Sequence, residues 1–144
     1  MIEVLKNEDF TTPTPDTRVA LVIPRAFHRV AAGSLALQES SFQQALTITY
    51  AKYCLDDPII PPLIKNVPQR GTGAGRGVTW YTKQEQHKRL KHLAVHYDLG
   101  LNIMFVSALV HYLKDEPEIK SYLKKNNFDI FADPEQAKAH YYRS

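Results

Sequence analysis

Sliding the chain by 59 residues lays Thr17–Pro58 on Arg76–Pro117 without a gap, and this internal repeat constrains the fold more than any single motif. Val19 meets Val78, His28 meets His87, Tyr53 meets Tyr112, Asp56 meets Asp115 and Pro58 meets Pro117. Identity at those positions matters less than the order of elements, which is the same in both copies. Each begins with a strand of about five residues and then changes to helical spacing. In the second copy Val78, Trp80 and Thr82 alternate with Gly77, Thr79 and Tyr81 before Leu90, Leu93, Ala94 and Tyr97 fall on one helical face. A short break and a second helix follow, ending before an acidic pair and a proline.

Local chemistry supports those boundaries. Pro24 is tolerated where the first helix begins, because the first turn has no partner for its missing N–H. In the breaks, "ESSF" offers Ser40 and Ser41 as N-caps, and "DLGLN" offers Gly100, with Asn102 in the first turn. The second helices carry apolar stripes: Phe42, Ala45, Leu46, Thr49, Tyr50 and Tyr53 in one, Leu101, Met104, Phe105, Ala108, Leu109 and Tyr112 in the other.

One strand-helix-helix unit of this size has no partner for its strand and too little core to stand alone. Two copies solve the problem if their strands pair antiparallel and their second helices shield each other's stripes. The sequence therefore predicts a mainly α fold with one two-stranded antiparallel ribbon, a tandem pseudo-dimer within one chain. Residues 1–16 form an N-terminal arm ending in "TTPTPD", 17–58 the first repeat, 59–75 a Pro/Gly-rich linker, 76–117 the second repeat and 118–144 a C-terminal extension. That extension holds helix candidates after Pro117 and from Asp133.

Composition narrows the function. The 144 residues are 44% hydrophobic and 23% charged, enough for an ordered domain rather than a disordered chain. No apolar run approaches the length of a membrane span and the N-terminus lacks the pattern of a signal peptide, so a soluble cytoplasmic protein without membrane partners is expected. Cys54 is the single cysteine, which excludes an internal disulfide and a thiolate metal cluster. His92 and His96 stand at i, i+4 without an evident third ligand, so no metal is expected. No Ser-His-Asp or Cys-His arrangement is recognisable, and no cofactor motif. "QRGTGAGRG" (Gln69–Gly77) precedes a strand instead of following one and lacks the Gly-Lys-Ser/Thr ending, so it reads as linker and not as a phosphate loop. Catalysis is not expected. Net charge is +3, a mild excess that permits nucleic-acid binding without requiring it, and Lys83, Lys88, Arg89 and Lys91 make the first helix of the second copy basic, either as a solvated face or as an attraction for flanking phosphates.

Val78–Leu113 resembles the ribbon-helix-helix superfamily throughout: alternating strand, first helix, glycine-containing break, and a second helix of small and apolar residues. Thr17–Pro58 is a weaker match because "VALVI" is apolar on both faces. The tandem looks closest to single-chain versions found among repressors and among accessory DNA-processing proteins of conjugative plasmids. The resemblance implies a double-stranded DNA-binding protein whose ribbon enters the major groove, acting as a transcriptional regulator or plasmid-transfer accessory factor. It implies that Val19, Leu21, Ile23, Val78, Trp80 and Thr82 point inward, and that Arg18, Ala20, Val22, Gly77, Thr79 and Tyr81 meet base edges. Arg18 suits guanine O6 and N7, Thr79 and Tyr81 exchange hydrogen bonds, and Ala20 and Val22 suit a thymine methyl.

Phosphates would be held by N–H groups at Ser40, Ser41, Phe42, Gly100, Leu101 and Asn102, and by the cations Arg70, Arg76, Lys83 and Lys88. Other DNA-processing or regulatory proteins are further candidate partners, with room for higher oligomers on DNA. The apolar first strand keeps a second reading open, a scaffold of the same fold that docks protein and not DNA.

Overall fold

In the computed structural model, which describes residues 14–55 and 75–125, alternation of buried and exposed side chains makes Thr17–Pro24 a strand, β1, and Gly75–Thr82 its partner, β2. They pair antiparallel as a two-stranded sheet, Thr17 opposite Thr82 and Pro24 opposite Gly75. Each strand runs eight residues, longer than the five legible from alternation, since the pairing extends past the apolar positions. The arm before residue 14, most of the linker with Arg70, and everything past 125, including the candidate helix from Asp133, lie outside the described residues.

Five α-helices complete the described chain. These are α1 (Arg25–Leu37), α2 (Phe42–Tyr50), α3 (Gln84–His96), α4 (Leu101–Leu113) and α5 (Pro117–Lys125). A π-helical segment, Ala51–Leu55, prolongs α2. The repeat offset of 59 survives in three dimensions. Start and end of α1 and α3 differ by it, as do the first residues of α2 and α4. The breaks match too: Glu39 and Asp98 are, among the described residues, the two non-glycine ones with positive φ, 54° and 55°. The next residue donates backward in each case, Ser40 N–H to the Leu35 carbonyl and Leu99 N–H to that of Ala94, both at 2.8 Å. An acidic residue in the left-handed region thus lets the chain double back where glycine is the usual choice.

Boundaries shift slightly from the sequence expectation. Pro24 ends β1 and is the N-cap of α1 with extended ψ of 129°, rather than sitting in the first turn. Gly75 belongs to β2 and not to the linker. Pro117 opens α5 instead of closing the second repeat, as a residue without an N–H does well at a helix start.

The core lies under the ribbon. Val19, Leu21 and Ile23 from β1 and Trp80 from β2 are buried beneath it, with Phe27, Leu35, Leu46, Leu90, Phe105 and Leu109. Trp80 stands at the centre, its ring 5.1 Å from that of Phe105 and 5.4 Å from that of Tyr50, and its Nε1–H donates to Thr47 Oγ1 at 3.1 Å. An indole needs such a partner once it is sealed from water. The expected stripe on α4 is an underestimate, since every residue from Ile103 to Val110 is buried. The helix touches β1, α2 and α3, so it has no solvent face along that stretch. α5 packs on α1, with Ile119 fully buried and the Tyr122 ring 6.2 Å from Phe27. Among the described residues no single helix is long and apolar enough to cross a membrane.

Candidate nucleic-acid interface

The pleat sends alternate ribbon residues to opposite faces. With the core taking Val19, Leu21, Ile23, Trp80 and Thr82, the outer face is left with three opposed pairs: Arg18 with Tyr81, Ala20 with Thr79, and Val22 with Gly77. Arg18, Ala20, Gly77, Thr79 and Tyr81 are exposed and Val22 is half-buried. All six residues expected to meet base edges therefore share one surface. Tyr81 is 50% exposed, large for an aromatic ring on a folded surface. A hollow of about 360 Å³ beside it is lined by Pro15, Asp16, Thr17, Arg18 and Tyr81. Ala20 faces Thr79, its own counterpart at the 59-residue offset, so the pairing is symmetric about this central pair.

Helix N-termini are fastened to both edges of the ribbon by side-chain amides. Gln43, in the first turn of α2, accepts from the Tyr81 N–H at 2.9 Å through Oε1 and donates to the Tyr81 carbonyl at 2.7 Å through Nε2. Asn102, in the first turn of α4, accepts from the Val22 N–H at 2.8 Å and donates to the Val22 carbonyl at 3.0 Å. Each strand edge is satisfied at one residue by the second helix of the other repeat. Sequence reading missed this role. Its one signal was that Gln43 and Asn102, both side-chain amides, coincide in the repeat alignment.

The expected phosphate donors divide accordingly. Ser41 is the N-cap of α2, with extended backbone, and its Oγ accepts from the Gln44 N–H at 3.2 Å. The Phe42 and Gln43 N–H groups precede the first intrahelical bond of α2, as the Leu101 N–H does at α4, whose N-cap is Gly100. Ser40 departs from expectation, because its N–H is used by Leu35 and closes α1 instead of opening α2. The Asn102 side chain serves the ribbon edge.

Cations flank both ends. Arg76 is exposed next to Gly77, and its charge adds to burial in pushing the His28 pKa below the usual imidazole value. His28 stacks on Phe42 at 4.7 Å, tying α1 to the start of α2. Arg25 donates to the Gly75 carbonyl at 3.3 Å. At the other end Lys83 is 3.7 Å from the Asp16 carboxylate. Asp16, just before β1, accepts from the Gln84 N–H at 3.0 Å and from the Thr17 hydroxyl at 3.1 Å, so it caps α3 from across the ribbon. Desolvation works against ionisation there, but these hydrogen bonds and the Lys83 charge hold the carboxyl below its ordinary range. Lys88, Lys91 and His92 are exposed along α3, whereas Arg89 turns inward and donates to the Cys54 carbonyl at the end of the π-helical segment.

Among the described residues no group of three His, Cys, Asp or Glu side chains is placed to hold a metal ion. Cys54 is buried, and desolvation pushes its thiol up to about 12 against the opposing Arg89 charge, which removes its nucleophilic form at neutral pH. Compared with known protein families, curated proteins and solved structures, the chain has no significant match.

Proposed function

We propose that the chain is a tandem ribbon-helix-helix protein that lays the outer face of β1 and β2 in the major groove of double-stranded DNA, as a transcriptional regulator or plasmid-transfer accessory factor. The observation that carries this reading is the grouping of Arg18, Ala20, Val22, Gly77, Thr79 and Tyr81 on one exposed ribbon surface, flanked by the N-termini of α2 and α4. A major groove about 12 Å wide admits a two-stranded ribbon. Helix N-termini at the ribbon's two edges suit phosphates on either side, because the positive end of a helix dipole favours anions. Arg76, Lys83 and Lys88 add positive charge. Mobility shift of a duplex across a salt series tests the proposal: log affinity should fall linearly with log salt, with a slope near −0.9 for each phosphate contacted. A salt-independent interaction, or none, would refute it.

One observation favours a second reading. The outer face carries the apolar side chains of Ala20 and Val22 and a half-exposed Tyr81 ring, which suit a protein surface as well as a groove. Retention of a protein partner with no retention of duplex would select that scaffold role.

A further inference from the structure

A ribbon built by two identical chains has identical ends, and the DNA site it reads mirrors that symmetry as a palindrome. Here a single chain supplies both strands, and its two ends differ. Symmetry about the Ala20–Thr79 pair makes Arg18 the counterpart of Gly77 and Tyr81 the counterpart of Val22. One end of the outer face therefore carries a guanidinium and a phenol opposite each other. The other carries an isopropyl group and a hydrogen. Arginine brings five donors in a planar fork and tyrosine a hydroxyl that donates and accepts, whereas valine and glycine side chains bring none.

Phosphate-binding groups do not share this imbalance. Lys83 and the Ser41-capped α2 stand at the Arg18–Tyr81 end, while Arg76, Arg25 and the Gly100-capped α4 stand at the Val22–Gly77 end. Backbone contact serves both halves, and, apart from the central Thr79, base-edge hydrogen bonding serves one.

Resting on the DNA-binding reading, we propose that the chain recognises a non-palindromic duplex site. Apart from the central Thr79, hydrogen-bonded base readout falls in the half under Arg18 and Tyr81, with a guanine beneath Arg18. The half under Val22 and Gly77 is selected only through thymine methyl contact and groove shape. The chain thereby binds DNA in one orientation, a property a symmetric dimer lacks.

Selection of randomised duplexes by the full-length chain, followed by sequencing of the retained pool, tests this. The expected result is one directional motif, with strong preference and a guanine in one half and a weak A·T preference in the other. A palindromic motif of equal strength in both halves would overturn the inference while leaving DNA binding intact. No enrichment, together with no salt-dependent retention, would overturn both. A second variant checks the assignment of the ends. A Cβ at Gly77 meets nothing within 4 Å and the residue is exposed on the outer face, so Gly77→Arg starts its side chain in open space. It should add about tenfold preference for a guanine at the mirrored position, bringing the motif close to a palindrome. Arg18→Gly combined with Gly77→Arg should reverse the motif's direction. A motif unchanged in both variants would refute the assignment.

Discussion

Gln43 and Asn102 perform the same task on opposite edges of one ribbon: each closes a two-bond amide bridge to a single backbone residue, Tyr81 for the first and Val22 for the second. Helper and target are both displaced by the repeat offset. An edge strand normally presents unpaired N–H and C=O groups that invite pairing with another chain, and these bridges cover one such position on each edge. They also fix where the N-termini of α2 and α4 sit relative to the outer face of the ribbon.

Replacing either amide should therefore cost stability. Gln43→Ala and Asn102→Ala are each expected to lose about 1–2 kcal/mol, because two hydrogen bonds vanish and backbone groups are left to water or to nothing. Urea denaturation measures the loss. Amide exchange separates the two sites: Gln43→Ala should speed exchange at Tyr81 and spare Val22, with the reverse for Asn102→Ala.

Trp80 anchors the ribbon to the helices. Trp80→Ala should cost about 3–5 kcal/mol through lost burial and the cavity left against Phe105 and Tyr50. As the single tryptophan, it should emit at short wavelength in the folded protein and shift red in one cooperative step on unfolding, followed by fluorescence. Red-shifted emission in the native state would contradict its placement.

Stability should decline as pH falls from neutrality. Burial depresses the His28 and His111 pKa values, with nearby Arg76 and Lys114 charges helping in turn, so the fold favours the neutral rings. Below the ordinary value of 6.5 the unfolded chain takes up protons that the folded one resists, and stability is lost from there down to the depressed folded values. Asp16 acts in a separate window, its contribution lost as pH falls below about 3.8. Thermal melts between pH 8 and pH 5 should fall, and His28→Gln with His111→Gln should flatten the slope.

Much of this architecture is legible in the sequence because the repeat is local in character. Alternation at Val78–Thr82, carried onto Val19–Ile23 by the repeat, locates the strands and says which side chains point in, and the caps at Ser41 and Gly100 mark the second helices. Contacts between segments distant along the chain are not written in any local period. That Asp16 caps α3, that Gln43 and Asn102 hold the opposite strand, and that α5 covers α1 all depend on how finished elements meet. The stripe expected on α4 leaves out Ile103, Val106, Ser107 and Val110, all buried, because no local period shows that β1, α2 and α3 together enclose every face.

Base and phosphate contacts should respond differently to mutation. Thr79→Ala removes a hydroxyl from the centre of the outer face and should lower preference between sequences, by up to about tenfold at one base pair. Lys88→Ala removes an exposed charge on α3 and should weaken binding to all duplexes evenly, with the salt slope reduced by about one. Equal effects of both on specific and random duplexes would count against readout by the ribbon.

Amide chemical shifts recorded while a duplex is titrated into labelled protein put the central claim to its most direct test. The largest changes should fall on Arg18, Ala20, Val22, Gly77, Thr79 and Tyr81 and on the first turns of α2 and α4, with α5 and the end of α4 undisturbed. Changes centred on α5, or a ribbon that does not respond to saturating duplex at low salt, would contradict it.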